Sequence, residues 1–252
     1  MDIVIIGTGN IATVLARRFQ AAGHRITQIF GRNAASASAL AYQFNTTSTS
    51  YWSVVRKDAD LYLVAVTDSA IADVAEHLRL PGRVVAHTAA AVSKDVLRPV
   101  TAHFGVLYPL QSLRTDSLTS SMPIVIDAAD AVARATLTSL AASVSDQPVS
   151  EAGDEERLKL HVAAVFVNNF TNHLFKLAEE YCRDEGLDFS KLIPLIMETA
   201  DRLKRGMPSG QQTGPAVRHD QETIDRHLAT LAKYPRLQNM YRVLTKSIQD
   251  DE

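Results

Sequence analysis

The 252-residue chain has a single cysteine, Cys182. One thiol cannot close an internal disulfide or build a multi-thiolate metal site, and such scarcity suits a reducing compartment. No uninterrupted apolar run approaches the ~20 residues of a membrane-spanning helix. The stretch from Asn33 to Val55 lacks charge, but Ser, Thr, Asn and Gln fill it. Neither sign of charge dominates: 26 basic and 28 acidic residues leave a net charge of −2. Binding a phosphate backbone needs a concentrated positive surface, so a nucleic-acid partner is not expected. The eight histidines show no paired ligand spacing with nearby carboxylates, so no metal is expected either. A strand pattern begins at residue 2, which leaves no room for a leader, and the cytoplasm is the expected location. Repeats and low-complexity tracts are absent. Apolar residues make up 46% and charged ones 21%, enough to bury a core in one large domain or two modest ones.

Short apolar runs alternate with helical patterns through the first half, the signature of a parallel sheet covered by helices. Asp2–Ile6 is β-branched and almost wholly apolar, as in a strand buried on both faces. Ile11, Val14, Leu15 and Phe19 then recur at helical spacing, with Gly23 placed to end the helix. A strand is expected from Arg25 to Phe30, and Asn33 is placed to cap a helix running to Phe44. Further strands are expected at Leu61–Val66, Arg83–His87, Phe104–Tyr108 and Pro123–Asp127. Asp68 opens a helix carrying Ile71, Val74, Ala75 and Leu78, and an alanine-rich helix follows the last strand to Val144. Past Val149 the pattern is helical only, at about Asp154–Glu185, Ser190–Lys204, Asp220–Lys233 and Arg236–Gln249. Strands grouped before helices imply two domains, an α/β domain with a mostly parallel sheet over residues 1–150 and an all-helical domain over residues 151–252. The first of its helices has a broad apolar face that includes Leu158, Val162, Val165, Phe166, Phe170 and Leu174. That face is too wide for a lone surface helix, so it is expected to pack against the other helices, a second subunit or both, with a homodimer through the helical domain as the favoured arrangement.

Gly7-Thr8-Gly9-Asn10-Ile11-Ala12 reads G-x-G-x-x-A directly after a buried strand and at the head of an amphipathic helix. This is the setting of the dinucleotide fingerprint. Gly7 permits the tight turn, Gly9 lets a pyrophosphate approach the backbone, and Ala12 is small enough for helix and strand to pack closely. The diphosphate would be met by free N–H groups and the helix dipole. An NAD site usually carries a carboxylate at the end of the second strand, for the ribose hydroxyls. Here the chain has Phe30-Gly31-Arg32-Asn33. Arg32 can pair with a 2′-phosphate, and Asn33 can add a hydrogen bond or cap the next helix. NADP is therefore expected over NAD. Thr67 and Asp68, and His87 and Thr88, follow two further strands, where such sheets face their ligand. They are candidate cofactor neighbours.

GTGNIA, DLYLVAVTDSAI, AHTAAAVSKDVL, FGVLYPLQSL, LHVAAVFVNNFTNHLF and QTGPAVRHD together resemble the Rossmann-like proteins that carry a C-terminal domain of unknown function numbered 2520. The resemblance spans nearly the whole chain and implies an NADP-dependent oxidoreductase, distantly similar to pyrroline-carboxylate and deazaflavin-linked reductases. It also implies a dinucleotide domain followed by a helical dimerisation domain. The chain departs from this pattern at Ala89-Ala90, where members of the family often carry Ser-Gly. The segment Ala163–Asn169 is similar to β-hydroxyacid dehydrogenases, but Val165 stands where they place a catalytic lysine. Alcohol oxidation by their mechanism is therefore not expected.

Hydride transfer from nicotinamide leaves the protein to position the acceptor and to handle a proton. His87, Tyr108 and His161 are the candidate proton donors, the plainer readings being a bond to a backbone carbonyl for His87, packing for Tyr108 and a satisfied core histidine for His161. His161 and Asn168 lie two turns apart on one expected helix, so both can point into an interdomain cleft. Asn168 and Asn172 share a face, with Asn169 about 100° round it. Gln212–Asp220 reads as a rigid turn before a helix, with Asp220 at the N-cap and Thr223 three residues on. Arg218 can hold a substrate carboxylate bidentately. The residue chemistry thus points to reduction of a small C=O or C=N substrate, possessing a carboxylate if Arg218 anchors it. The alternative is a dinucleotide-binding sensor or scaffold without turnover.

Overall fold

A computed structural model describes residues 1–115 and 121–251. The chain divides into two compact units, Met1–Asn168 and Asn169–Glu252.

The first unit is built on an eight-stranded sheet. In chain order it runs β1 (Asp2–Ile6), α1 (Asn10–Ala21), β2 (Arg25–Phe30), α2 (Ala34–Gln43), β3 (Thr47–Thr49), β4 (Leu61–Val64), α3 (Ile71–His77) and β5 (Val84–His87). It continues with β6 (His103–Pro109), β7 (Ile124–Ala128), α4 (Ala131–Val144), β8 (Ser150–Glu151) and α5 (Asp154–Ala164). The spatial order is β3-β2-β1-β4-β5-β6-β7-β8, and only the β6–β7 pairing is antiparallel. The first six strands follow the doubly wound dinucleotide-binding order, which reverses between β1 and β4 and opens a crevice at their carboxyl ends.

The expected continuous run at Asp2–Ile6 reflects burial on both faces. Ile3 and Ile5 pack with Leu15 and Phe19 of α1 and Leu137 of α4, while Val4 and Ile6 pack with Ile71 and Val74 of α3. Alternation along the strand thus feeds two hydrophobic layers. Gly23, at φ +84°, ends α1 as expected, and the Asn33 side chain accepts from Ser36 N at 2.9 Å to cap α2. β3 and β8 lie outside the expected strands. Each is a short edge segment of polar residues, too brief to show a two-residue alternation.

The long helix expected over Asp154–Glu185 is interrupted. α5 ends at Ala164, a π-helical stretch spans Val165–Phe170, and α6 covers Thr171–Asp184. A π turn uses more residues than an α turn, so the face calculated from a uniform 3.6-residue period does not persist through it. The common face expected for His161 and Asn168 rested on that uniform period.

The second unit, among the described residues, contains α6, α7 (Ile193–Asp201), α8 (Gln221–Thr230) and α9 (Pro235–Asp250), extended by 3-10 turns. Gly186, at φ +69°, supplies the left-handed turn after α6. Asp220 caps α8 as expected, accepting from Thr223 N at 3.1 Å and from the Thr223 hydroxyl at 2.7 Å. No described helix is long and apolar enough to cross a membrane.

Candidate functional site

The loop from β1 into α1 sits at the strand-order reversal. Gly7 adopts φ +128°, and a Cβ there would fall 2.1 Å from the carbonyl oxygen of Ala65, just beyond β4. Only glycine fits this position. Its N–H donates to Phe30 O at 2.9 Å, tying the loop to the end of β2. Gly9 differs: a Cβ there would meet nothing within 4 Å, so the space in front of it is open. Gly9 is also the N-cap of α1 and supplies no side-chain acceptor. The first N–H groups of α1 therefore face that space with the positive end of the helix dipole behind them, an arrangement that fits a diphosphate. Ala12 is fully buried against the sheet.

At the end of β2, Gly31 is held by crowding, since a Cβ would lie 2.7 Å from Thr8 Cγ2. Arg32 follows it, exposed to solvent, and no carboxylate stands beside it in the chain. Asn33 is engaged as a cap through its oxygen. After β4, Thr67 and Asp68 are exposed, and the Thr67 hydroxyl lies 3.5 Å from that of Ser69. Asp68 begins a 3-10 turn rather than an α-helix, with α3 starting at Ile71.

His87 has no exposed surface. Its Nδ1 accepts from Ala89 N at 3.2 Å, which leaves Nε2 to donate to Ser93 O at 3.4 Å. Burial pushes its pKa down to about 4. A neutral imidazole with both nitrogens bonded to backbone staples the loop after β5; it is not set up to give a proton to a ligand. Thr88 is buried as well, its N–H bonded to Val64 O at 3.2 Å.

The same loop is held from below by Arg157, which carries no exposed surface. Its guanidinium donates to Ala90 O at 3.1 Å, Val92 O at 2.7 Å, Asp154 Oδ1 at 2.7 Å and Asp127 Oδ2 at 3.3 Å. Lys94 Nζ reaches the same Asp127 oxygen at 3.0 Å. A buried charge is tolerated only when fully paired, and here carboxylates and carbonyls surround it. Sequence reading passed over Arg157. The available signal was an Asp154–Arg157 pair, three residues apart, at the head of the helix.

His161, one turn beyond Arg157 on α5, meets Tyr108 near the carboxyl end of β6. The phenol oxygen lies 3.0 Å from His161 Nδ1, and the two rings meet edge to face. Tyr108 is nearly buried, and burial, with a smaller contribution from the Asp68 carboxylate, pushes its pKa up. Packing therefore describes Tyr108 incompletely: it has a polar partner that the strand pattern could not reveal. Asn168, in the π stretch, is exposed, as are Asn169 and Asn172. Arg218, in the second unit, is exposed and lowers the pKa of Asp220 only as a minor cause, behind the Thr223 hydrogen bonds. Among the described residues, no group of three or more His, Cys, Asp or Glu side chains could hold a metal ion.

The strand order, the glycine loop and the bare helix terminus together define a dinucleotide-binding protein of the doubly wound class. Residues 2–91 match the family described as NADP oxidoreductase, coenzyme F420-dependent, and residues 122–248 match the domain of unknown function DUF2520. A solved Bacteroides fragilis protein, assigned as an NADP oxidoreductase, is 36% identical over 99% of this chain and 98% of its own, with a TM-score of 0.91. The chain belongs to the DUF2520 family, with an N-terminal domain of the NADP-oxidoreductase type. A Thermotoga maritima protein is similar at 21% identity over 98% of both chains, with a TM-score of 0.80. A reductive aminase from Aspergillus terreus, solved with NADPH and ethyl-5-oxohexanoate, covers 99% of this chain and 92% of its own at 14% identity and a TM-score of 0.74. At such identities these two speak for the fold. No curated protein matches the chain.

Proposed function

We propose that the protein is an NADP-dependent oxidoreductase that reduces a small C=O or C=N substrate, acting in the cytoplasm as a homodimer. The observation that carries the reading is the open space in front of Gly9, at an α1 terminus with no side-chain cap, with the Arg32 guanidinium exposed after β2. In this reading Gly7–Ala12 cradle the diphosphate and Arg32 pairs with the 2′-phosphate. Thr67, Asp68 and Thr88 neighbour the cofactor at the strand ends. NADPH supplies the hydride when bound. His161 manages the proton that the acceptor heteroatom needs, Asn168 offers an amide to the substrate, and Arg218 is the second unit's candidate anchor for a substrate carboxylate. The NADP-oxidoreductase family match and the 36% identity to the Bacteroides fragilis protein assigned as an NADP oxidoreductase support the reaction class. Exposed Leu158, Val162 and Phe166 on α5 and the π stretch support a homodimer.

Calorimetry with NADPH and NADH tests this reading. The wild type is expected to prefer NADPH. Arg32→Ala is expected to weaken NADPH binding about 10- to 100-fold and leave NADH unchanged, as for loss of hydrogen bonds to a charged group worth ~1.5–3 kcal/mol. Equal affinity of the wild type for the two nucleotides, or no heat from either, overturns it. Val165, in place of a catalytic lysine, motivates the second reading of a nucleotide sensor without turnover. That reading expects binding but no NADPH oxidation across aldehydes, ketones, imines and keto acids.

A further inference from the structure

We propose that Tyr108 is a positioning residue that fixes His161 with Nδ1 turned to the phenol, leaving Nε2 as the nitrogen that delivers the proton to the substrate. The inference rests on the reductase reading for its second half only; the first half concerns the two side chains themselves.

The geometry is specific. Tyr108 is anchored in β6, between β5 and β7, and the strand holds its ring in the core. Its hydroxyl lies 3.0 Å from His161 Nδ1, and no other partner is found for it among the described residues. A buried phenol O–H left unpaired costs ~1–3 kcal/mol, so the proton on oxygen points at Nδ1 in the resting neutral imidazole. The tautomer is then Nε2–H. When His161 is protonated, Nδ1–H donates to the same oxygen, because a hydroxyl both donates and accepts. A carboxylate or a carbonyl in that place could only accept. Tyr108 thus keeps the His161 ring in one orientation across both charge states and leaves Nε2, for which no hydrogen bond is found among the described residues, uncommitted in each.

Tyr108 is not itself the acid. Burial and the Asp68 carboxylate both favour the neutral phenol. In the reduction, the acceptor carbon takes a hydride and the C=O or C=N π pair moves to the heteroatom. The Nε2–H bond of imidazolium breaks as the new heteroatom–H bond forms, leaving neutral His161 with its remaining proton on Nδ1, still donated to the Tyr108 oxygen, and solvent returns a proton to Nε2.

The test is nitrogen NMR of the full chain labelled with 15N-histidine, at a pH where His161 is neutral, with His161→Gln for assignment. The wild type is expected to show Nε2 protonated and Nδ1 as an acceptor, with the minor tautomer below about a tenth. Tyr108→Phe is expected to raise the minor tautomer severalfold towards that of a free imidazole. A predominantly Nδ1–H signal in the wild type, or an unchanged tautomer ratio in Tyr108→Phe, overturns the proposal. The wild-type spectrum decides even if the variant does not fold. In parallel, NADPH oxidation with 1-pyrroline as probe is expected to lose about 10- to 100-fold in kcat in Tyr108→Phe, with KM and NADPH affinity little changed. A change confined to KM would count against positioning of the proton donor. If the wild type does not bind NADPH, the reductase reading fails while the tautomer result stands on its own.

Discussion

Ile3, Ile5, Leu15, Phe19, Leu61 and Leu63 of the first unit have no exposed surface, whereas Leu195, Met197, Leu203 and Met207 of the second are more than half exposed. The difference follows from architecture. A parallel sheet with helices on both faces offers each strand two apolar layers, and two clusters close around it. Helices α7 and α9 each bury only one stripe, and no described residue of α7 or α9 is fully buried. The first unit therefore has a closed core of its own, while the second leaves large apolar side chains of α7 and the turns after it exposed.

Three measurements break or sharpen this contrast. The largest effect is expected at Arg157, because removing one partner of a buried ion pair strands the other. Arg157→Met is expected to cost about 3–5 kcal/mol in denaturant unfolding. A loss below ~1 kcal/mol would mean that the loop after β5 does not depend on it. Next comes the acid response. His87 is held neutral with a pKa of about 4 in the folded chain, against about 6.5 when unfolded. Between those values the unfolded chain binds a proton that the folded one refuses. Stability is therefore full above about pH 6.5 and falls by up to ~3 kcal/mol as the pH drops to about 4. His87→Gln is expected to flatten this slope; an unchanged slope would assign the acid response elsewhere. The smallest effect belongs to the second unit. At protein concentrations where the chain is monomeric, Leu195→Ala is expected to change stability by less than ~0.5 kcal/mol, as for an exposed side chain. If a second copy covers this face, Leu195→Asp shifts the sedimentation coefficient towards the monomer. No shift would place the dimer contact elsewhere or exclude it.

Much of the nucleotide site could be read from local pattern. Gly7, Gly9 and Ala12 stand at fixed offsets between a strand and a helix, and the structure puts glycine at Gly7 under steric compulsion. Asn33 and Asp220 also announced themselves, because a cap needs only the sequence on either side of it. Tyr108 and Arg157 did not. Their partners lie 53 residues away at His161 and 30 residues away at Asp127. His87 could be read either as a ligand-facing histidine or as one bonded to backbone, and both of its nitrogens meet nearby backbone.

Periodicity and short-range chemistry determined the strand-then-helix order, the phosphate loop and the absence of an acid after β2, because each is written within a few residues of itself. Tertiary structure decided which nitrogen of His161 is committed, how the charge of Arg157 is compensated, and where the long helix changes to a π turn. Those outcomes depend on which distant groups the sheet brings within 3 Å or so of one another, and no local pattern encodes that distance.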